Sequence, residues 1–302
     1  MNNRRIPKTD LDVSPVCLGT MTFGNPVSSG DAIALVQWAL DHGVNFIDTA
    51  DMYEGYDRYF GSPGGVAETI LGEALCGRRD RAVITTKVGN PIGDRQYEGT
   101  GLGRAHILHQ IDASLARLQT DYVDVYELHK ADPDTPLAES VGVMAELVVA
   151  GKVRHWGFSN FDAAQISEML EICDRNGWPR PVIAQPPYSW LNRDVQADYL
   201  PVCRENQIAI TPYRPLEGGL LTGKYRRDRP PPRGSRATEN PNWLKLEADV
   251  YEKLEPFEQE ASSAGLSAAR YAIRWLLDRP GVISVVAGVK RIDQLEDLIA
   301  AC

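Results

Sequence analysis

The 302-residue sequence has only five cysteines, Cys17, Cys76, Cys173, Cys203 and Cys302, and none stands in a CxxC pair. That spacing argues against a metal cluster or a disulfide framework and suits a reducing cytoplasm. No run of about 18 apolar residues suggests a membrane span. The opening Met1-Asn2-Asn3-Arg4-Arg5 leads into Ile6-Pro7-Lys8 rather than into an apolar stretch, so neither a signal peptide nor a membrane partner is expected. Positive charge is also in deficit. With 32 lysines and arginines against 41 aspartates and glutamates, the net charge of −9 opposes non-specific nucleic-acid binding. An anionic cofactor would then need a local cluster of cations. No GxGxxG follows the first β-rich run, which weakens the case for an open dinucleotide-binding sheet.

What is present is a rhythm. Short β-rich runs at Val16–Thr20, Asn45–Ala50, Ala82–Val88, Val123–His129, Val153–Asn160, Ile183–Tyr188, Ile208–Pro212 and Ile283–Val289 alternate with amphipathic segments such as Asp31–His42 and Arg104–Leu118. Repeated βα alternation implies a parallel sheet covered by helices. Eight units in about 300 residues fit a closed (β/α)₈ TIM barrel, an α/β fold, better than an open sheet, and the whole of residues 1–302 reads as a single domain. Two stretches break the rhythm and are expected to be long loops: Gly89–Gly103, which is rich in glycine, and Arg226–Pro241, which holds Pro230-Pro231-Pro232 among arginines.

Reactive groups of such barrels sit at the C-terminal ends of the strands. Three consecutive strands end in ionisable residues: Asp48 on the second, Lys87 on the third and His129 on the fourth, with Tyr53 just past the second. Period-two alternation puts Phe46 with Asp48, Val83 and Thr85 with Lys87, and Val125 and Glu127 with His129 on common faces. If those faces point inward, the polar ends converge beside Tyr53. The set suits reduction of a carbonyl, because hydride addition leaves an alkoxide that must take up a proton. A tyrosine hydroxyl has an ordinary pKa near 10, about three units above neutrality or roughly 4 kcal/mol. A neighbouring Lys87 ammonium lowers that value, Asp48 keeps the ammonium charged, and a neutral His129 donates a hydrogen bond to the substrate oxygen. Taken singly each residue has an ordinary alternative: Asp48 as a cap, Lys87 as the partner of Asp48, Tyr53 as a packing aromatic, His129 as a core histidine. Taken together at successive strand ends they read as a site.

The sequence resembles the aldo-keto reductase family. The resemblance rests on Phe46-Ile47-Asp48-Thr49-Ala50-Asp51-Met52-Tyr53, Thr86-Lys87-Val88, Asp121-Tyr122-Val123-Asp124-Val125-Tyr126-Glu127-Leu128-His129, Gly157-Phe158-Ser159-Asn160-Phe161 and Gly218-Gly219-Leu220-Leu221-Thr222-Gly223-Lys224-Tyr225, in the family's order over nearly the whole chain. It implies a catalytic tetrad of Asp48, Tyr53, Lys87 and His129. It further implies a nicotinamide held by Ser159, Asn160 and Gln185, with Tyr213 stacking on it and Gly19-Thr20-Met21 lining the same pocket. Gly218 and Gly219 with Lys224 suit a loop that brings backbone and a cation to a pyrophosphate. Gly288, Lys290, Arg291 and Gln294 lie after the eighth strand, where Lys290 and Arg291 suit the 2′-phosphate of NADP. NADP, supplied as NADPH, is therefore the expected cofactor, with NAD as the alternative.

Two positions depart from the family pattern. Arg214 stands in Tyr213-Arg214-Pro215-Leu216 where the family often has serine, and would reach the pyrophosphate itself. Asp297-Leu298 replaces a Glu-Asn pair that recognises adenine. The sequence given ends at Cys302, short of the segment that lines the pocket in relatives. The expected partner is a small carbonyl compound or a sugar-like alcohol, with Phe23, Tyr56, Tyr59, Phe60, Tyr188 and Trp190 as candidate walls that read equally well as packing residues. Two other readings stay open: a cofactor-sensing regulatory subunit on the same fold, and a Schiff-base enzyme using Lys87 as nucleophile.

Overall fold

The computed structural model describes residues 1–59, 61–93, 101–244 and 246–302. Two short antiparallel strands open the chain, β1 (Arg4–Arg5) and β2 (Asp12–Val13). Eight parallel strands follow: β3 (Val16–Gly19), β4 (Phe46–Asp48), β5 (Val83–Val88), β6 (Val123–Leu128), β7 (Val153–Ser159), β8 (Ile183–Gln185), β9 (Ala209–Ile210) and β10 (Val285–Gly288). Each falls inside one of the eight β-rich runs, a residue or more shorter. Their order in the sheet is β10-β3-β4-β5-β6-β7-β8-β9. Single parallel bridges from Ile210 to Val282 and from Tyr213 to Val286 join the two ends of that sheet. The architecture is the (β/α)₈ barrel that the alternation implies.

Among the described residues ten α-helices stand between and after the strands: α1 (Ser29–Asp41), α2 (Val66–Ala74), α3 (Arg104–Leu118), α4 (Leu137–Val149), α5 (Ala163–Asn176), α6 (Tyr199–Glu205), α7 (Arg236–Glu239), α8 (Ala248–Ser263), α9 (Ala268–Leu277) and α10 (Ile292–Ile299). Local chemistry sets their ends. Asp162 and Gln165 exchange side-chain and backbone hydrogen bonds in a capping box that starts α5, and Gly177 in the left-handed region stops it. The expected long loop at 226–241 is shortened by α7. Its backbone turns helical after Ser235, whose carbonyl accepts from the amides of Thr238 and Glu239. Residues 94–100 of the expected loop at 89–103 lie outside the described residues.

Alternation along the strands sorts side chains into two cores. Tyr126, Phe158 and Leu128 face outward and pack with helix residues such as Leu115, Met144 and Ile166. Cys17, Phe46, Val83, Val125, Ile183, Ala209 and Val286 face into the barrel and pack with Ile6, Leu11 and Val13 of the β1–β2 hairpin. The hairpin therefore closes the N-terminal end of the barrel, and all chemistry is left to the other end. Further along the inward faces come the polar residues Thr85, Asp48, Lys87, Glu127 and Gln185.

Ile6 is fully buried in the floor. Ile6→Ala is expected to cost about 2–5 kcal/mol of stability through the lost burial and the remaining cavity. Chemical denaturation should show the loss as a lower midpoint with an unchanged slope.

Candidate active site

The geometry begins with Lys87, which is fully buried. Its Nζ donates to Asp48 Oδ1 at 2.5 Å, to the Thr49 carbonyl at 2.9 Å and to Tyr53 Oη at 3.5 Å. An ammonium has three N–H groups, so Lys87 is fully committed. Burial alone would discharge it, but the Asp48 carboxylate, with Tyr53 and Glu127, outweighs burial and holds the lysine well above its ordinary value. Gln185 Nε2 donates to the same Asp48 oxygen at 2.8 Å, from across the barrel. Asp48 is thus fixed from two sides, and it fixes Lys87.

Tyr53 sits beside this pair, with its ring 5.1 Å from Lys87 Nζ and edge-on to His129 at 6.0 Å between centroids. The expectation that Lys87 would bring its pKa below the ordinary value is not met. Desolvation pushes the phenol up to about 12, and Lys87 only opposes that rise. Burial is the larger effect because the same apolar surroundings that strengthen the Lys87 field also penalise phenolate. His129 is held well below the ordinary histidine range, first by burial and then by Lys87, Lys130 and Arg58. Its imidazole is therefore neutral at pH 7, as the sequence reading required.

A hydrogen-bond chain continues from Gln185 around the mouth. Ser159 Oγ donates to the Gln185 carbonyl at 2.7 Å. Asn160, in the left-handed region at φ 58°, donates from Nδ2 to Ser159 Oγ and to the His129 carbonyl, both at 2.9 Å. Tyr213 Oη donates to Asn160 Oδ1 at 2.8 Å. The four expected nicotinamide-binding residues are thus brought together, and the chain locks them to one another and to Asp48. On the opposite rim, the Thr20 amide donates to the Asp48 carbonyl at 2.9 Å, and Gly19 and Met21 flank it.

Past β9 the chain forms a cationic cradle. Gly218 and Gly219 take φ values of 65° and 99°, and a Cβ on Gly219 would lie 2.4 Å from Lys224 Nζ. Lys224 is lowered by burial and then by Lys290 and Arg236, with Arg291 adding to the repulsion. Glu239 and Asp293 partly offset these cations. Lys290 is paired with Glu239 and donates to the Gly234 carbonyl at 3.0 Å, while Arg291 pairs twice with Asp293 at 2.8 Å. Gln294 Oε1 accepts from the Lys290 amide at 2.9 Å. Arg214 pairs with Glu217 at 2.8 Å and lies 4.5 Å over the Trp243 ring, beside Pro215 and Leu216.

The proposed walls divide. Tyr56 lies under Arg236 at 4.3 Å, next to the cradle. Tyr188 is fully buried against Trp275, and Trp190 packs on Phe257 and donates to Glu260 at 2.8 Å, so both serve the barrel's outer packing. Phe23 is fully buried, Tyr59 is exposed, and Phe60 lies outside the described residues. Glu127, Glu217, Arg236, Glu239 and Trp243 were not anticipated. Of these Glu127 carried a signal in its place on the inward face two residues before His129, and Arg236 in its place at the end of the arginine-rich stretch after Arg226.

Comparison with known proteins agrees with this geometry. The family model described as aldo/keto reductase matches residues 15–302. A probable voltage-gated potassium channel subunit beta of Arabidopsis thaliana is 35% identical, covering 100% of this chain and 91% of that protein. An NADH-specific methylglyoxal reductase of Escherichia coli is 34% identical over 99% of this chain and 93% of its own length. The aldo-keto reductase YhdN of Bacillus subtilis is 32% identical over 99% and 88%. No helix among the described residues is long and apolar enough to cross a membrane. With its strand-end tetrad, closed barrel and full-length match, the chain belongs to the aldo/keto reductase family.

Proposed function

We propose that the chain reduces aldehydes or ketones to alcohols, or oxidises sugar-like alcohols, with Tyr53 as general acid and base. One observation carries the reading: Tyr53 Oη stands 3.5 Å from a lysine that Asp48 keeps charged, beside a neutral His129. His129 aligns the carbonyl oxygen, and Tyr53 delivers the proton as negative charge grows there. A phenol held near 12 is a reluctant donor to water but an adequate one to an alkoxide. Lys87 supports that transfer by stabilising the phenolate left behind. In the reverse direction the same phenolate takes the alcohol proton.

The cradle supports a dinucleotide cofactor. The close approach of the Lys224 ammonium to the backbone at Gly219, which a Cβ would block, and the excess of cations around Lys224 suit a pyrophosphate. Ser159, Asn160 and Gln185 would hold the carboxamide and Tyr213 the ring, with Gly19, Thr20 and Met21 beneath. When bound, the nicotinamide supplies or accepts the hydride. We assign NADP as the cofactor from Lys290 and Arg291, with Gly288 leaving room beside them. NAD is the comparator, because both cations already have carboxylate partners. A Schiff-base role for Lys87 is opposed by its fully committed, charged ammonium.

The channel-subunit name of the Arabidopsis relative supports a second reading, in which the cofactor is sensed and turnover is incidental. Steady-state assays separate the two. Tyr53→Phe is expected to lower kcat for carbonyl reduction by about 10²–10⁴-fold with cofactor affinity within about two-fold of the parent. Equal turnover by parent and variant would remove Tyr53 from the proton step. Gly219→Ala is expected to displace Lys224 and weaken cofactor binding at least about ten-fold by calorimetric titration, leaving the tetrad chemistry of bound enzyme nearly unchanged.

A further inference from the structure

Glu127 is fully buried, and neither carboxylate oxygen has a hydrogen-bond partner among the described residues. It stands directly opposite Lys87 in the β5–β6 register and opposite Gly157 in the β6–β7 register. Val125 below it belongs to the barrel floor, so Glu127 points inward at the level of the Lys87 backbone. Gly157 gives no side chain there because a Cβ would lie 2.4 Å from Ile183 Cγ2. Lys87 has no N–H left for it, having spent its three on Asp48, Thr49 and Tyr53. A second carboxyl is thus held beneath a completed ion pair, able to act on it only through its field.

The groups that face it are few. From β5 comes Lys87, from β4 Asp48, from β3 Cys17 and from the loop after β4 Tyr53, each with a charge interaction with Glu127; Tyr199 of α6 feels that charge from the outer core, where it packs on Phe158. His129 is on its own strand and is neutral, while β8 contributes the uncharged amide of Gln185. His155 of β7 is turned to Asp10 at the hairpin end, 3.7 Å away.

We propose that Glu127 is a positioning residue for Tyr53: the proton on its carboxyl sets how much of the Lys87 charge the phenol experiences. This rests on the carbonyl-reduction reading. With Asp48 and Lys87 already neutral as a pair, a further anion would leave the dry barrel with excess negative charge. Burial accordingly lifts Glu127 to about 8, Lys87 drawing it down and Asp48 adding to the rise. Below that pH the carboxyl is neutral, and the Lys87 field reaches Tyr53 opposed by Asp48 alone. Above it, the new anion offsets Lys87 and makes Tyr53 a weaker acid. The sign follows: reduction falls as pH rises through about 8, well before the phenol itself titrates.

Two measurements test this, with Glu127→Gln and Glu127→Met as variants that cannot titrate. In cofactor-free protein, difference infrared spectroscopy across about pH 6–10 should show a protonated-carboxyl band that disappears with a midpoint near 8 and is missing from both variants. A parent band unchanged by either substitution would overturn the proposal whatever the protein reduces. In turnover, kcat for reduction should fall about three- to ten-fold between about pH 7 and about pH 9.5 in the parent, and by less than about two-fold in Glu127→Gln. Superimposable pH profiles, even with a lower plateau in the variant, would reduce Glu127 to packing. Loss of activity after Tyr53→Phe is a separate matter, so the two readings fail separately.

Discussion

Everything at the mouth of this barrel depends on a single desolvated ion pair. Lys87 and Asp48 are both almost without solvent contact, and removing either would strand the other charge in the interior. Buried ion pairs add little net stability over apolar pairs of similar size, and the structural effect of this one is on its neighbours. It holds an ammonium at a fixed distance from Tyr53 and an acceptor for Gln185. Through Gln185 it ties the rim formed by Ser159, Asn160 and Tyr213 to the same point.

The barrel makes that pair affordable by separating two tasks along its axis. The β1–β2 hairpin seals one end with Ile6, Leu11 and Val13, and the floor above it is apolar. Polar side chains begin only at the next inward layer. The charges therefore lie against a low-dielectric base and open toward the cleft, which strengthens their fields where a substrate would sit. The cradle of Lys224, Lys290, Arg236 and Arg291 lies apart from this base, and its charge is partly offset by Glu239 and Asp293.

Much of this was legible in the residues. All eight barrel strands follow from the βα alternation, and period two puts Asp48 and Lys87 on inward faces with His129 at the next strand end; Tyr53, in the loop after β4, lies beyond what period two can place. The hairpin did not follow, since strands of two residues are too short to show alternation. The upward shift of Tyr53 was hidden as well: an adjacent lysine is visible in sequence, whereas the depth of burial that overrules it is a property of the closed barrel. The Lys290–Glu239 pair joins residues far apart in the chain, through a short helix that proline-rich sequence disguises as a loop. Tyr188 and Trp190 take the packing role that the sequence left open beside the wall role, because an aromatic near a strand end serves the outer packing as readily as the cleft.

The closure of the sheet has a consequence for how the protein is made. β3 lies at the start of the chain and pairs with β10, so Val16 must wait for Val285. A ribosome delivers the strands in order, and until the last one emerges the growing sheet carries two unpaired edges. Lys290 and Arg291 arrive later still. Nascent chains long enough to hold all four tetrad residues thus lack both a closed barrel and a complete cationic cradle. Biosynthesis therefore exposes unpaired strand edges early and completes the barrel mouth only near the end.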